Sequence, residues 1–234
     1  MKLVVNGDSH TAGAEIANNY AFAEDDGRYI HMGRIPHPDN LPLTWGHLLS
    51  KPLKAKFHCL AESASSNQRI LRTTREYIDQ YNSREELFIV IGWSTWERQE
   101  WLIDGTYYQV NASGIDDVPD SHKAKYKRFI ADINWLKCTQ QAHADIWEFH
   151  KELEDKNIKH LFFNCNSHFG DIKKKKKWGR SYLDPYNYKE TFDYWLTDQG
   201  CNKVSKDSYH YGRDAHNLWK TKILQIIVDN KLVS

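Results

Sequence analysis

The sequence of 234 residues predicts an α/β fold: a three-layer α/β/α sandwich with a mostly parallel sheet. Two observations carry this prediction. Short apolar runs of strand length alternate with stretches of helical period, and one of those runs is apolar throughout. We expect a single domain over residues 1–234, interrupted by one insertion.

Four segments have the composition of strands. The first, Lys2–Asn6, is a short β-branched run that ends at Gly7. The third, Leu87–Ile91, has no polar residue, which is typical of a strand buried on both faces. The other two strand candidates are Lys54–Leu60 and Ile158–Cys165.

Three segments predict helices: Ser66–Tyr81, a long stretch around Phe129–Asp155, and Asp214–Asn230. The region from Trp93 to about Asp120 does not fit this alternation, because its aromatic residues lie among Gly, Asn and Asp without a clear period. We therefore expect an aromatic-rich insertion at about 93–120. It would lie at the carboxyl end of the third strand, the edge at which open α/β sheets bind ligands.

Composition excludes several classes of protein. With 32 Lys+Arg against 31 Asp+Glu, the net charge is +1, so a bulk basic field for nucleic acid is not expected. No apolar run is long enough to span a bilayer, and the start becomes polar after three apolar residues, so we expect a cytoplasmic protein without membrane partners. The four cysteines have no C-x-x-C spacing, so we expect reduced thiols and no metal.

Gly7-Asp8-Ser9 follows the first predicted strand directly. A serine at this point is exposed at the carboxyl edge of the sheet, and its own N–H can point at a developing oxyanion. An ordinary helix cap is the other interpretation, because Asp and Ser are favoured there.

Near the other end of the chain, His210 follows Asp207 at a spacing of three. Such a carboxylate can fold back within one turn and accept a hydrogen bond from the imidazole Nδ1, which leaves Nε2 to face a serine. Asp214 and His216 form a competing pair. By itself, an Asp/His pair in a loop is more often a surface turn.

These two blocks resemble the SGNH (GDSL-type) hydrolase superfamily. Gly7-Asp8-Ser9 corresponds to the family's first block, and the run from His210 to Trp219 aligns with its last block without a gap. The resemblance implies a flavodoxin-like, mostly parallel sheet of about five strands. It also implies Ser9 as nucleophile, His210 as base, Asp207 as the carboxylate that orients it, and no cofactor.

The middle blocks of the family match less well. Ala64 stands where the family has an oxyanion-hole glycine, and Ser94 stands where it has an asparagine. The resemblance then implies an oxyanion hole made by Ser9, Ala64 and Ser94. Loss of a well-placed donor typically costs about 10²- to 10³-fold in rate. Either Ser94, Asn67 or a residue of the insertion replaces the asparagine, or the enzyme is slow, or the scaffold only binds.

The expected activity is hydrolysis of a short acyl ester, such as an acetyl group on a carbohydrate. The substrate partner is then a small-molecule or glycan ester. Aromatic faces with interspersed polar groups suit sugar rings, and the insertion contains several. The candidate substrate-binding residues are Asn67, Trp93, Trp96, Arg98, Trp101 and Tyr108. Alternatively, the rings pack the insertion onto the sheet.

Two alternatives stay open. A catalytically degenerate SGNH scaffold would act as a glycan-binding or interaction module through the same aromatic residues. The run Lys173–Lys177 is either a solvated loop or a cationic lip that attracts an anionic polysaccharide or nucleic acid.

Overall fold

The computed structural model describes residues 1–17, 35–83, 86–112, 114 and 118–233. Its strands are β1 (Lys2–Asn6), β2 (Lys56–Cys59), β3 (Leu87–Trp93), β4 (Gln99–Ile103), β5 (Thr106–Val110) and β6 (Lys159–Asn164). Four of these strands form a parallel sheet in the order β2-β1-β3-β6. Beyond β6, Phe162 and Tyr182 form an isolated parallel bridge, so the fifth position of the sheet is reduced to one residue pair. The predicted α/β class with a mostly parallel sheet is confirmed.

Helices connect the strands and cover the sheet. They are α1 (Ser9–Ala12), α2 (Trp45–Ser50), α3 (Asn67–Gln80), α4 (Lys123–Ala131), α5 (Trp135–Asp155), α6 (Phe192–Asp198) and α7 (Arg213–Asp229), with 3₁₀ turns at Leu41–Leu43, Asp120–His122 and Tyr188–Glu190. In the part of the chain that the structure describes, no helix combines the length and the apolar character needed to cross a membrane.

The two faces of the sheet bury separate cores. Phe88 and Val90 of β3 pack on one side with residues of α2, α6 and α7. Ile89 and Ile91 of the same strand pack on the other side with residues of α3 and α5. Because successive strand residues point to opposite faces, a strand covered on both sides is apolar throughout. This explains the uninterrupted run in the sequence.

The long predicted helix around Phe129–Asp155 is two helices, α4 and α5. The chain leaves the helical conformation after Ala131, and α5 begins with Asn134 as its cap. The Asn134 Oδ1 accepts a hydrogen bond from the backbone N of Lys137 at 3.0 Å, which satisfies one of the free N–H groups at the start of α5. A capping residue inside the stretch therefore ends one helix and begins the next.

The insertion contains an antiparallel hairpin, β4–β5, rather than an irregular segment. Its two turn residues, Asp104 and Gly105, have φ values of 47° and 80°. Positive φ at both central positions is the signature of the tight hairpin turn whose twist matches the strands. The hairpin packs on α4 in a small apolar cluster that includes Trp101, Val110 and Tyr126. Residues 113 and 115–117 of the predicted insertion lie outside the described residues.

Candidate active site

The Gly7-Asp8-Ser9 block lies at the carboxyl end of β1, and Ser9 is the first residue of α1. A Cβ at Gly7 would lie 2.3 Å from Thr11 Oγ1 and 2.8 Å from the Gly92 carbonyl oxygen, so only glycine fits between these groups. Ser9 is largely buried, with 8% of its surface exposed. Its backbone N–H has no acceptor among the described residues.

Asp8 anchors this turn. It is 1% exposed, and its Oδ1 accepts from the backbone N of His10 at 3.1 Å. Its Oδ2 accepts from Ser94 Oγ at 3.0 Å and from Arg98 Nη1 at 3.2 Å. Burial raises the pKa of the Asp8 carboxyl, but the charges of His10 and Arg98 and these hydrogen bonds outweigh burial and hold the pKa below its usual value. Asp8 is therefore a buried carboxylate that ties β1 to the loop after β3.

Ser94 uses its hydroxyl inside this network. The hydroxyl donates its proton to Asp8 and accepts from Arg98 Nη1 at 2.9 Å. The Ser94 backbone N donates to Asn67 Oδ1 at 2.9 Å, and Asn67 Nδ2 donates to the Ser94 carbonyl at 3.2 Å. The sequence predicts Ser94 as a side-chain donor to an oxyanion. The structure instead gives its single proton to a buried carboxylate, which is a stronger acceptor than a neutral ester oxygen.

Ala64 lies in the loop between β2 and α3 with φ of 60°, in the left-handed region that favours glycine. The chain therefore has a backbone conformation here that usually requires glycine, although Ala64 carries a Cβ. The Ala64 N–H has no acceptor within the described ranges. Two residues earlier, the backbone N of Glu62 donates to the Gly7 carbonyl at 3.2 Å, which ties this loop to the serine turn.

His210 is held by Glu15. Its Nδ1 lies 2.5 Å from Glu15 Oε2, and Ser208 Oγ donates to the same carboxylate oxygen. The His210 backbone N donates to Ser208 Oγ at 2.9 Å. Burial raises the pKa of Glu15, but the hydrogen bonds from His210 and Ser208 outweigh it and lower the pKa. With Nδ1–H donated to this carboxylate, Nε2 is the free acceptor of the ring.

Asp207, the carboxylate predicted to orient His210, is not the one bound to its ring. Its side chain is exposed, and the carboxylate on Nδ1 belongs to Glu15, 195 positions away in sequence. Sequence reasoning missed Glu15 because no motif surrounds it and no fixed spacing connects it to His210. Within the described ranges, no hydrogen bond joins Ser9 Oγ to His210, and the ring of His10 lies 5.5 Å from the His210 ring, centroid to centroid.

His10 and His216 are buried histidines beside His210. Burial lowers the pKa of His10 to about 4 and that of His216 to about 3, so both rings are neutral near pH 7. His216 Nδ1 accepts from the backbone N of Trp45 at 3.2 Å and thereby attaches α7 to α2. Asp214, its competing partner in the sequence, is exposed. His216 therefore has a structural role, and Asp214 and His216 are not arranged as a catalytic dyad.

Two of the predicted substrate-binding rings are core residues. Trp93 has no exposed surface and packs edge-on against Phe149 and Phe162. Trp101 is 7% exposed and packs against Phe129. Tyr108 is half-buried against the same small cluster. These positions correct the expectation that Trp93 and Trp101 face a ligand, because both rings pack in a core; for Tyr108 the role stays a prediction.

Trp96, Arg98 and Asn67 line a cleft of about 270 Å³ between α3 and α5. Trp96 is stacked on Phe169 with ring centroids 4.7 Å apart. Since Arg98 also contacts Asp8 and Ser94, this cleft adjoins the serine turn.

The lysines of Lys173–Lys177 are all exposed, with Lys175 over the ring of Tyr186 and Lys176 over that of Trp147. Among the described residues, no group of three or more His, Cys, Asp or Glu side chains is arranged to hold a metal ion.

Comparison with protein families finds one match: residues 38–143 match a family of unknown function, DUF6071. No curated protein matches the sequence.

The solved structures with a similar fold include esterases. A carbohydrate esterase, whose active site is described as having divergent catalytic and non-catalytic binding functions, matches with a TM-score of 0.51 at 16% identity over 97% of this chain and 64% of that one. An acetyl xylan esterase from Butyrivibrio proteoclasticus matches at 0.46 and 13%, over 98% of this chain and 64% of that one. A protein assigned to the G-D-S-L lipolytic family from Desulfitobacterium hafniense matches at 0.44 and 13%, over 96% and 98%.

This chain thus covers slightly less than two thirds of the length of the carbohydrate esterase and of the acetyl xylan esterase. At 16% identity the likeness to the carbohydrate esterase shows the fold alone.

Proposed function

We propose that this protein is a serine esterase in which Ser9 is the nucleophile, His210 the general base and Glu15 the carboxylate that orients it. The observation that carries the proposal is the contact of 2.5 Å between His210 Nδ1 and the buried Glu15. This contact fixes the tautomer whose Nε2 can accept a proton. The family pattern indicates Asp207 for the orienting carboxylate, but Asp207 is exposed, and the proposal gives this role to Glu15 instead.

The reaction is acyl transfer to water. The Ser9 Oγ attacks the ester carbonyl while its proton passes to His210 Nε2, and the alcohol then leaves with that proton. Water, deprotonated by the same nitrogen, hydrolyses the acyl-enzyme and regenerates Ser9. The Ser9 hydroxyl and Nε2 come into hydrogen-bond contact when substrate binds, since catalytic hydrogen bonds often tighten only in that complex.

The oxyanion is held by two backbone donors in this mechanism. The N–H groups of Ser9 and Ala64 lack acceptors among the described residues, and fixed backbone N–H groups are typical donors of an oxyanion hole. The proposed oxyanion hole leaves out the Ser94 hydroxyl, because this hydroxyl donates its proton to Asp8. A hole with two donors rather than three predicts a modest turnover rate.

The proposed substrate is a short-chain, acetyl-type ester on a carbohydrate. The cleft lined by Asn67, Trp96 and Arg98 combines polar and apolar side chains, and its volume of about 270 Å³ suits a short acyl group rather than a long one. The structural neighbours that are esterases of acetyl xylan and of carbohydrate support this substrate class.

The decisive experiment is labelling with a fluorophosphonate probe followed by intact-protein mass spectrometry. We expect one adduct on the wild-type chain, none on Ser9→Ala, and full labelling on Ser121→Ala, a control at an exposed serine. Hydrolysis of p-nitrophenyl acetate should follow the same pattern. Labelling that persists in Ser9→Ala would remove Ser9 as the nucleophile.

A second candidate function is glycan binding without catalysis. It is favoured by one observation, the lack of a Ser9–His210 hydrogen bond among the described residues. This function predicts saturable binding of an acetylated glycan with neither acetate release nor probe labelling.

A further inference from the structure

The run Lys173–Lys177, here called the lysine strip, concentrates positive charge in a chain whose net charge is only +1. All five side chains are exposed, and no ion pair joins them to a carboxylate among the described residues. Arg180, three positions after the strip, is also exposed, and it donates to the Asn230 carbonyl at 3.4 Å. Six cationic groups therefore face solvent within a short length of chain.

The backbone of the lysine strip is attached to the protein through one hydroxyl group. Tyr186 Oη accepts from the backbone N of Lys176 at 2.6 Å and from Trp178 Nε1 at 3.1 Å. The same oxygen lies 2.9 Å from His143 Nε2. Because the other two groups can only donate, the hydroxyl gives its own proton to His143. Trp178, the next residue after the strip, is 5% exposed. These attachments distinguish the strip from a freely solvated loop and reduce the entropy that a partner must remove on binding.

The carboxylates around the lysine strip do not neutralise it. Asp171 and Asp184 flank it in the chain, and Glu148 and Glu154 lie on the part of α5 that packs against it. Glu148 is paired with Lys151 at 3.5 Å. Four acids thus stand against the six cations of the strip and its neighbour, with Lys151 in addition. The surface keeps a net positive charge, which attracts a polyanion.

The aromatic rings beneath the strip are covered by its own ammonium groups. Lys175 Nζ lies 4.8 Å from the centre of the Tyr186 ring, and Lys176 Nζ lies 5.3 Å from that of the Trp147 ring. Proteins that bind single-stranded nucleic acid stack bases on open aromatic faces. A net charge of +1 also supplies no bulk field for a duplex. The strip therefore favours a polyanion that is held by charge without stacked bases.

We propose that the lysine strip binds an anionic polysaccharide, whose carboxylate or sulfate groups recur along the polymer. Five residues of chain span at most about 18 Å, so the row of ammonium groups matches a row of anions better than one small anion. Each lysine is a compact charge with three rotatable donors on a flexible stem, which suits anionic groups of varied orientation. Binding by the strip does not need Ser9, so the inference goes beyond the proposed esterase activity and stands apart from it.

The test compares polygalacturonate, a linear polymer of uronate rings, with dextran, a neutral polymer, by isothermal titration calorimetry. At low ionic strength we expect polygalacturonate to bind at least about tenfold more tightly than dextran. Its affinity should fall as salt is added, because salt screens exposed charges and competes for the polyanion.

Two triple variants test whether the binding belongs to the strip. Lys173→Gln combined with Lys174→Gln and Lys177→Gln should weaken polygalacturonate binding by about tenfold or more, and it keeps the two lysines that contact rings. The matched control removes the same charge at three exposed lysines elsewhere and should keep the affinity within about twofold. It combines Lys51→Gln, Lys127→Gln and Lys206→Gln.

No binding of polygalacturonate, equal affinity for dextran, or equal weakening in the two triple variants would overturn the proposal. Tighter binding of single-stranded oligothymidylate than of polygalacturonate would assign the strip to nucleic acid and overturn it too. Ser9→Ala should bind polygalacturonate as the wild-type chain does. These outcomes are therefore separate from failure of the esterase proposal, which is decided by probe labelling at Ser9.

Discussion

Glu15 combines burial, an unusual backbone conformation and contact with the proposed base. Its φ of 63° lies in the left-handed region, and its side chain is 5% exposed. A non-glycine residue held there costs about 1–3 kcal/mol, and such residues cluster at functional sites. The chain reverses after Gly13, whose φ of 75° ends α1, and this turn directs Glu15 back toward His210.

Replacing Glu15 tests the assignment of the orienting carboxylate. Glu15→Gln keeps the shape but no longer stabilises the imidazolium, and its amide can force the wrong tautomer. We expect kcat for p-nitrophenyl acetate to fall by about 10²- to 10⁴-fold with KM little changed. Asp207→Asn is the matched control, and it should keep kcat within about twofold. The reverse ranking of the two variants would restore Asp207 to the role that the sequence predicts.

The backbone at Ala64 can be tested separately from the chemistry. An L-residue in the left-handed region loses roughly 1–2 kcal/mol, of which glycine recovers part after its own entropy cost of about 0.5–1 kcal/mol. Ala64→Gly should therefore raise the free energy of unfolding by up to about 1 kcal/mol with activity retained. Ala64→Val should lower both, because a β-branched residue fits this region poorly. Urea denaturation and esterase assays measure the two effects, and a stabilised Ala64→Val would contradict the strain.

Some residues of the candidate site can be identified from the sequence, and others cannot. Ser9 and His210 each lie in a compact block, so local order was enough to single them out. The contact between Glu15 and His210 depends on a turn at one end of the chain meeting a loop at the other. The donation by Ser94 depends on Asp8 being a buried carboxylate, which is a property of the folded environment.

At the scale of elements, β1, β3 and β6 were predictable because each contains at least three consecutive apolar residues. The insertion was harder, since β4 and β5 form a two-stranded sheet that is largely exposed on one side and carries polar residues throughout. The Asp104-Gly105 pair was a usable turn signal within it. Besides packing on α4, the hairpin contacts α3 and its cap: Arg72 Nη2 donates to Glu100 Oε1 at 2.8 Å, and the backbone N of Ser66, the residue that caps α3, donates to Gln109 Oε1 at 3.0 Å.

The hairpin turn offers a test of local backbone preference. A Cβ at Gly105 would meet nothing within 4 Å, so Gly105→Ala acts only through its φ of 80°. We expect a loss of roughly 1–2 kcal/mol in the free energy of unfolding. Asp104→Asn, at the neighbouring positive φ, should cost little, since Asn tolerates that region. Equal losses in the two variants, measured by urea denaturation, would rule out turn strain as the cause.

At the scale of the whole molecule, the fold encloses several neutral histidines. Burial is the first cause that lowers the pKa of His10 and of His160 to about 4, and that of His216 to about 3. His160 lies on β6, whereas His10 on α1 and His216 on α7 interact with each other, because the charge of His10 is one cause that lowers the pKa of His216. His160 is held by hydrogen bonds with His150 Nδ1 at 2.8 Å and with the Ile158 carbonyl at 2.9 Å.

These histidines predict that the protein loses stability in mild acid. Between pH 6.5, the ordinary histidine value, and about pH 4, the unfolded chain binds protons that the folded chain does not, so the free energy of unfolding falls as pH falls. Each histidine contributes at most about 1.4 kcal/mol per pH unit to this slope, so the slope for the three together is at most about 4 kcal/mol per pH unit. Urea denaturation between pH 5 and 6.5 measures this slope above the range in which the carboxylates Asp8 and Glu15 titrate. His160→Gln, which can still donate and accept, should reduce the slope by about one proton, and a flat profile in this window would mean that the buried rings are protonated in the folded state.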